Sequence, residues 1–144
     1  MLDKNDVLST VQMIDRQHLD IRTITMGISL LSCADRDAKA ACEKIYDKIT
    51  RYAEGLVKTG EDIEREFGIP IIHKRIAVTP IAEICGATTA EDLTPIAAAL
   101  DRAGKEVGVN FIGGFSALVQ KGMSDSDRRL INSNPHALSS TDTV

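Results

Sequence analysis

The sequence predicts an α/β protein whose parallel strands are joined by helical crossovers. Segments rich in β-branched residues are separated by segments with helical periodicity, in the order helix, strand, long helix, strand, helix, strand, short helices. Strands separated by helices pair in parallel, through right-handed crossovers. Three such strands make a small sheet, and a parallel sheet needs both faces covered. The chain therefore either dimerises to complete its sheet or forms the first part of a larger α/β barrel or doubly wound domain.

The first helix and the first strand differ in their apolar period. A helix is predicted from Asp6, its N-cap, to about His18, because apolar residues recur there at helical spacing. Over residues 20–31 the period changes to two and β-branched residues are dense, which predicts a strand. Gly27 marks a bend, a bulge or the end of this strand.

The longest predicted element is a helix over residues 36–67, where apolar residues keep a spacing of three or four. Gly55 and Gly60 are candidate positions for a kink. Gly68 and Pro70 end the helix, because glycine accepts the left-handed conformation that follows a helix and proline cannot continue it.

The middle of the chain repeats the alternation of strand and helix. Residues 71–79 form the second predicted strand, which Pro80 ends. Residues 81–86 form either one helical turn or a packed loop. Thr94, with a proline directly after it, predicts a helix N-terminus, and this helix runs to Gly108.

The third predicted strand is short and ends at the double glycine Gly113–Gly114, from which a helical turn is predicted to Gly122. A short helix over residues 127–132 and one more turn over residues 135–140 follow, because an asparagine–proline pair separates them. No repeat, linker or low-complexity segment divides the sequence. The whole chain of 144 residues is therefore predicted to form a single α/β unit.

The composition is that of a globular protein and argues against several functions. A formal net charge of -4 disfavours a nucleic-acid or anionic-membrane partner, and an aromatic content of 3% leaves few side chains for base stacking. Three cysteines without a CxxC pair indicate a reducing compartment. No secretory signal and no apolar run of membrane-spanning length is visible. The prediction is a cytoplasmic protein with no nucleic-acid partner and no membrane partner.

Several stretches of the sequence together resemble one family. They are His18–Leu31, Lys44–Ile49, Gly68–Ile72, Lys74–Ile81 and Phe111–Gly122. In them the chain is similar to the uncharacterised pyruvate formate-lyase-like, or "PFL family", proteins, and the similarity extends over nearly the whole chain. The resemblance implies a glycyl-radical-enzyme type of α/β barrel, of which this chain looks like the N-terminal portion or a shortened version.

The resemblance does not bring the radical chemistry with it. A glycyl-radical enzyme needs a C-terminal glycine loop that stores the radical and a cysteine on a barrel-centre loop that relays it. This chain lacks the region of such a loop, and Cys33, Cys42 and Cys85 are isolated along the sequence. No catalytic residue is therefore predicted, since a radical enzyme would rest on fold analogy alone.

The double glycine is the first candidate for a binding site. In parallel α/β folds, ligands lie beyond the carboxyl ends of the strands, and this turn lies at such an end. The amides that follow Gly114 would then face an anion at a helix start, with the Ser116 hydroxyl as a further donor. The alternative is that Gly113 and Gly114 only let a strand and a helix pack closely. No phosphate-loop motif is present.

The other two strands supply further candidates. Arg75 either points into a barrel, where it binds a carboxylate or phosphate, or belongs to the polar face of an edge strand. Thr79 lies near the carboxyl end of the same strand, and Met26 and Gly27 line the end of the first strand. Together with the double glycine and Ser116, these residues predict binding of a small anionic metabolite.

The histidines and cysteines predict no metal site and no cofactor. His18, His73 and His136 lie far apart in sequence and lack metal-ligand spacing. A nucleophilic pair of Cys85 with His73 stays open. A function of another class also stays open, namely a non-enzymatic assembly or regulatory module that forms a homo-oligomer through the 36–67 helix or a sheet edge.

Overall fold

A computed structural model describes residues 3–17 and 20–144 of the chain. Its helices are α1 (Lys4–Asp15), α2 (Ala38–Ala53), α3 (Leu56–Phe67), α4 (Ile81–Ile84), α5 (Thr94–Val107) and α6 (Asp125–Ser140). Its strands are β1 (Ile21–Ile28), β2 (Ile71–Val78) and β3 (Phe111–Gly113), and a 3-10 turn, Leu31–Cys33, follows β1. The alternation of helices and strands agrees with the sequence prediction, and the chain is an α/β protein.

The three strands form one parallel sheet in the order β1-β2-β3. Arg75 of β2 pairs with Thr25 of β1 on one side and with Phe111 of β3 on the other. The prediction that strands separated by helices pair in parallel is thereby confirmed. The alternative that Arg75 belongs to an edge strand is wrong, because β2 is the central strand.

One face of the sheet is covered by helices. Ile76 and Ile112 point to this face and are almost fully buried beneath the helical layer, in which α2 and α5 pack side by side. Gly104 of α5 allows a close approach, since a Cβ there would lie 3.1 Å from the Ile112 side chain. Other fully buried large side chains of the core are Leu30, Ile45, Ile49, Ile81, Leu93, Ile96, Leu100 and Leu130.

Toward the carboxyl ends of the strands, the opposite face is left uncovered by the described residues. Side chains alternate along each strand, so Thr25 and Gly27 of β1 share this face with Arg75 and Phe111. All four residues are exposed, and 48% of the Phe111 surface is accessible to solvent. Because a parallel sheet normally has both faces covered, we expect a ligand or a partner to occupy this uncovered sheet face.

The predicted long helix consists of two helices. α2 ends at Ala53 and α3 begins at Leu56, with Gly55 between them as the N-cap of α3. The break occurs because α2 packs on α5 whereas α3 packs on β2, so one straight helix cannot serve both contacts. Gly68 ends α3 as predicted, in the left-handed conformation at φ 68°, and donates its N–H to the Glu64 carbonyl.

The predicted break at Pro135 is wrong, because α6 is one continuous helix. It begins with a capping box, in which the Ser124 hydroxyl accepts the Asp127 N–H and the Asp127 carboxylate accepts the Ser124 N–H. Leu130 and Ala137 are fully buried on either side of the proline. Packing of this helix face on α4 and α5 outweighs the hydrogen bond that proline cannot make.

The helical turn predicted between Gly114 and Gly122 is also wrong, because this segment is irregular. It runs beside the start of α4 instead. Ile81 donates its N–H to the Gly114 carbonyl over 2.9 Å. Ala82 donates to the Ser116 carbonyl over 3.3 Å. Hydrogen bonding to α4 therefore replaces the bonds that a helical turn would have made within the segment.

The helix α1 contributes no buried residue to the core. It begins after Asp3 rather than at the predicted cap Asp6, and it ends at Asp15. The predicted end at His18 lies outside the described residues. Together with Phe67 at the end of α3, the helix borders a hollow of about 300 Å³.

The last residues of the chain lie beside the outer edge of β3. The Thr143 carbonyl accepts the N–H of Ile112 over 2.7 Å. Asp101 of α5 holds this segment, because its Oδ1 accepts the N–H groups of Asp142 and Thr143 and the Thr143 hydroxyl. Its Oδ2 lies 2.7 Å from Nζ of Lys105. A nearly buried carboxylate thus ties the end of the chain to the sheet.

Candidate functional site at the uncovered sheet face

The register of the sheet brings three of the predicted site residues together. One row across the strands consists of Thr25, Arg75 and Phe111. The next row toward the carboxyl ends consists of Gly27, Ala77 and Gly113. Because no side chain in the second row is larger than a methyl group, the face has a flat main-chain floor next to the Arg75 side chain.

The guanidinium of Arg75 leans over this floor. A Cβ on Gly113 would lie only 3.2 Å from Arg75 Nη2, so the glycine leaves room for the guanidinium. The side chain is exposed. Within residues 3–17 and 20–144, it takes part in no ion pair and no hydrogen bond. Its charge and its five N–H donors are therefore available to a ligand.

A histidine lies one row further from the carboxyl ends, on the same face. The His73 ring packs edge-to-face on Phe111, with the ring centroids 5.4 Å apart. Its Nδ1 atom is buried and has no hydrogen-bond partner among the described residues. The aromatic pair forms a wall beside Arg75.

Gly114 serves close packing. Its φ of 133° lies in the region that favours glycine, and a Cβ there would lie 2.7 Å from the main-chain oxygen of Val78. The Ser116 N–H points back to the Gly114 carbonyl at 2.8 Å. The predicted set of amides at a helix start is therefore not formed, because no helix begins here and the Ser116 amide is already used.

Thr79 and Met26 lie away from the uncovered sheet face. The Thr79 hydroxyl accepts the N–H of Leu30 over 3.1 Å and so joins the ends of β1 and β2. The Met26 side chain is partly buried against the core. The structure thus brings Arg75, Gly27 and Gly113 together, places Gly114, Thr79 and Met26 in packing positions, and leaves Ser116 exposed.

The sequence profile described as "Uncharacterised ACR (DUF711)" matches residues 12–144, which is most of the chain. The chain belongs to this family. Curated relatives have an equally general description. A "UPF0210 protein" of Desulforamulus reducens is 61% identical over 144 residues, and one of Clostridium perfringens is 58% identical over the same length. A further "UPF0210 protein", from Streptococcus mutans, is 57% identical over 143 residues.

The DUF711 relatives are much longer than this chain. Each of the three alignments covers 99% or 100% of the chain but 32% of the relative. The chain therefore spans about a third of the length of the curated relatives it matches.

The resemblance to pyruvate formate-lyase-like proteins is wrong. The family match is DUF711, the relatives are UPF0210 proteins, and neither points to a pyruvate formate-lyase-like family. The glycyl-radical-enzyme barrel that the resemblance implied is not shown either, since the described residues form a small three-stranded sheet with helices. The chain is an α/β member of an uncharacterised family.

Two cysteines of this DUF711 chain, Cys42 and Cys85, are poorly suited to nucleophilic chemistry. Burial raises the pKa of Cys85 to about 11, and the charge of Arg129 offsets only part of this effect. Burial also raises the pKa of Cys42. No hydrogen bond among the described residues joins Cys85 to His73. Because the thiolate is the reactive form, the pair proposed from sequence has no support in the structure.

A second concave surface lies beyond the carboxyl end of β1, where the sequence patterns indicated no site. It is a hollow of about 480 Å³ between the 3-10 turn and α2, and Ser32, Lys44, Lys48, Arg51 and Tyr52 line it. The three basic residues are four and three positions apart on α2. The only feature of the sequence that points to this surface is therefore a basic helix face next to a predicted strand end.

A third hollow, of about 520 Å³, lies between the N-terminus of α6 and the loop before α5. Arg129, which is 5% exposed, closes its base. Its Nη1 donates to the Thr88 and Ala90 carbonyls at 2.9 and 2.6 Å, and its Nη2 donates to the Cys85 carbonyl at 3.3 Å. Its Nε lies 3.2 Å from the Asp125 carboxylate. The guanidinium is thus engaged by the chain itself and joins α6 to the loop.

Within residues 3–17 and 20–144, no group of three or more histidine, cysteine or acidic side chains is placed to hold a metal ion. None of the helices in that part of the chain has the length and apolarity needed to cross a membrane. Among the described residues, the largest pKa shifts are those of Asp101 and Cys85, which belong to the helical layer rather than to the uncovered sheet face.

Proposed function

We propose that this domain binds a small anionic metabolite on the uncovered sheet face, at the carboxyl ends of its strands. The observation that carries the proposal is the position of Arg75. Its guanidinium lies on the open face of the central strand, leans over Gly113 and has no carboxylate partner among the described residues. An unpaired arginine in such a position favours a carboxylate or phosphate ligand.

The surroundings of Arg75 support a small ligand. Gly27, Ala77 and Gly113 allow a ligand to approach the main chain closely, because no large side chain stands in the way. The Thr25 hydroxyl, in the same row as Arg75, can donate a further hydrogen bond. Ligands of parallel α/β folds bind at this end of the strands.

The length of the relatives supports the proposal further. Because they are about three times as long as this chain, we expect the sheet to belong to a larger α/β barrel or doubly wound domain in them. The uncovered sheet face would then lie inside the domain. A guanidinium that is partly shielded from water attracts an anion more strongly than one at a free surface.

The test is a thermal-shift screen of this chain with the carboxylate anions succinate and citrate. We expect at least one anion to raise the melting temperature, because a ligand that binds only the folded state stabilises it by about 2.7 kcal/mol at a hundred times its Kd. Arg75→Met keeps the length of the side chain but removes the charge and should abolish the shift. Arg22→Met is the matched control, since Arg22 is exposed on β1 but faces the other side of the sheet.

Two results would contradict the proposal. One is the absence of stabilisation by any of the anions. The other is a shift of equal size in the wild-type chain and in Arg75→Met. Arg75→Lys refines the test, because lysine keeps the charge without the planar fork of donors and should weaken binding only in part.

We place this activity in the cytoplasm, as expected from the sequence. The three cysteines are free thiols, and Cys33 and Cys85 are buried. Free thiols persist in a reducing compartment, which supports this location. This location is checked by labelling the proteins of one cellular compartment at a time and detecting this protein among the labelled ones.

A second candidate function is assembly into a homo-oligomer. On α1 the side chains of Val7, Leu8 and Val11 are each about half exposed, and Phe111 is similarly open on the sheet. The interface expected over the 36–67 helix has less support, because the apolar stripe of α2 is already buried within the chain. Light scattering of wild-type and Val11→Asp proteins tests this candidate, and a strictly monomeric wild-type mass would exclude it.

A further inference from the structure

The hollow beyond the carboxyl end of β1 has the chemistry of a phosphate site. It lies against α2, and the 3-10 turn Leu31–Cys33 forms its other wall. Lys48 is half-buried there, and its Nζ lies 2.8 Å from the Ser32 hydroxyl. This bond holds the ammonium in the lining of the hollow and leaves it two further N–H donors.

The positive charge of Lys48 is not neutralised by a neighbour. No carboxylate of the described residues forms an ion pair with it. Lys44 differs in this respect, because its Nζ lies 2.7 Å from the Asp35 carboxylate. An ammonium that is held by a hydroxyl alone gains more from an added anion than one that is already paired.

Arg51 adds a second available cation. Its guanidinium lies 5.0 Å from the centroid of the Tyr52 ring, which fixes its direction without neutralising its charge. Asp47 also lines the hollow, and its negative charge disfavours the binding of an anion there. It forms no ion pair with any described residue. With Lys44 and Asp35 included, three cations face two carboxylates, so the hollow keeps a net positive charge.

An adjoining hollow provides room for an organic group. It has a volume of about 300 Å³ and shares Lys48 and Tyr52 with the first hollow. Its other lining residues are Met26, Gly27, Ile28 and Ser29, at the carboxyl end of β1. A ligand whose phosphate group lies at Lys48 can therefore extend along Tyr52 toward the strand end.

We propose that the two joined hollows bind a small phosphomonoester. Lys48, Arg51 and the Ser32 hydroxyl bind its phosphate group, and the surface beside Tyr52 takes its organic part. This site lies at the carboxyl end of β1 and uses none of the charge of Arg75, although it shares Gly27 with the uncovered sheet face. The proposal is therefore independent of anion binding on the uncovered sheet face, and either site can exist without the other.

The test is a titration of the isotopically labelled chain with glycerol phosphate, followed by NMR. Amide shifts are expected in the 3-10 turn and around Lys48, and inorganic phosphate should bind more weakly, because it leaves the adjoining hollow empty. Lys48→Met should weaken binding about tenfold or more, as expected for loss of a charged hydrogen bond. Lys39→Met is the matched control, since Lys39 is exposed on the first turn of the same helix and lies outside both hollows.

Further variants separate this site from the uncovered sheet face. Arg75→Met should leave the titration unchanged, and Ser32→Ala, which removes only a surface hydroxyl, should weaken binding with the fold intact. The proposal is overturned if the shifts are absent, if Lys48→Met and Lys39→Met bind equally well, or if the shifts occur only in the sheet around Arg75. Binding of inorganic phosphate as tightly as glycerol phosphate would overturn the assignment of the organic part.

Discussion

Replacing Asp101 by asparagine tests how the end of the chain is held against the sheet. Asp101 is 7% exposed, and its carboxylate accepts three hydrogen bonds from Asp142 and Thr143 and pairs with Lys105. Asparagine keeps the shape but lacks the charge, and its amide N–H₂ group would either face the Lys105 ammonium or displace the bonds to the chain end. We therefore expect Asp101→Asn to lower the free energy of unfolding.

The size of the effect follows from the pKa of this carboxyl. Burial by itself raises the pKa, but the Lys105 hydrogen bond, followed by those from Thr143 and Asp142, outweighs burial and lowers it from 3.8 to about 2. That difference corresponds to about 2 kcal/mol of stability at neutral pH. Since half of the Lys105 side chain is exposed and screened by solvent, we expect about 1–2 kcal/mol.

The sign of the pH dependence is determined by the lowered pKa. A carboxyl with a lower pKa in the folded state stabilises the fold fully above its unfolded value of 3.8, and this contribution is lost as the pH falls toward 2. By pH 3, about half of the contribution should be gone. The difference between wild type and Asp101→Asn should therefore shrink over this range.

Urea unfolding followed by circular dichroism at several pH values measures this difference. Asp142→Asn is the matched control, because it removes a 79% exposed carboxylate from the same lysine and should leave stability almost unchanged. Equal stability of wild type and Asp101→Asn at neutral pH would refute the reasoning. So would a difference that stays constant down to pH 3, because the charge of Asp101 would then not be its source.

Two further predictions concern packing. Gly114→Ala should destabilise the fold by at least about 2 kcal/mol more than Gly122→Ala in urea unfolding. The two glycines have φ values of 133° and 132°, but of the two only Gly114 would bring an added Cβ within 4 Å of other heavy atoms. Equal losses of stability would show that backbone strain alone matters. Arg129→Met should lower the free energy of unfolding by about 3 kcal/mol, because it leaves three carbonyls, two of them in buried hydrogen bonds, without their donor. Arg128→Met is the control, since it removes an exposed arginine from the same helix. A loss as large as that of Arg129→Met would contradict the structural role of Arg129.

The ends of several helices and the alternation of the fold followed from local sequence. Gly68 and Gly108 both adopt the left-handed conformation that ends a helix, at φ 68° and 74°. The period-two pattern of the strands also placed β1 and β2 within a few residues of their observed bounds. These features were predictable because they depend on the conformational preferences of residues that are neighbours in the chain.

The candidate site was predictable only in part. The sequence indicates Arg75 from its place on a strand and Gly113 from the double-glycine turn at a strand end, and the sheet register brings them together. The interpretation of Gly114 as part of an anion-binding helix start failed, because its environment includes Val78, which is distant in sequence. The sequence indicates Lys48 only as one member of a basic helix face. Its hydrogen bond to Ser32 joins two separate elements of the fold, which local sequence does not reveal.

The sequence by itself determined that this chain alternates strands with helices and pairs its strands in parallel. Only the tertiary structure decided that the helices of the core cover one face of the sheet, that α6 continues through Pro135, and that Arg75 stands on the uncovered sheet face. The physical reason is that periodicity and caps act over a few residues, within one element. Burial, close approach and the pairing of charges depend on groups brought together from distant parts of the chain, where tertiary packing outweighs local preference.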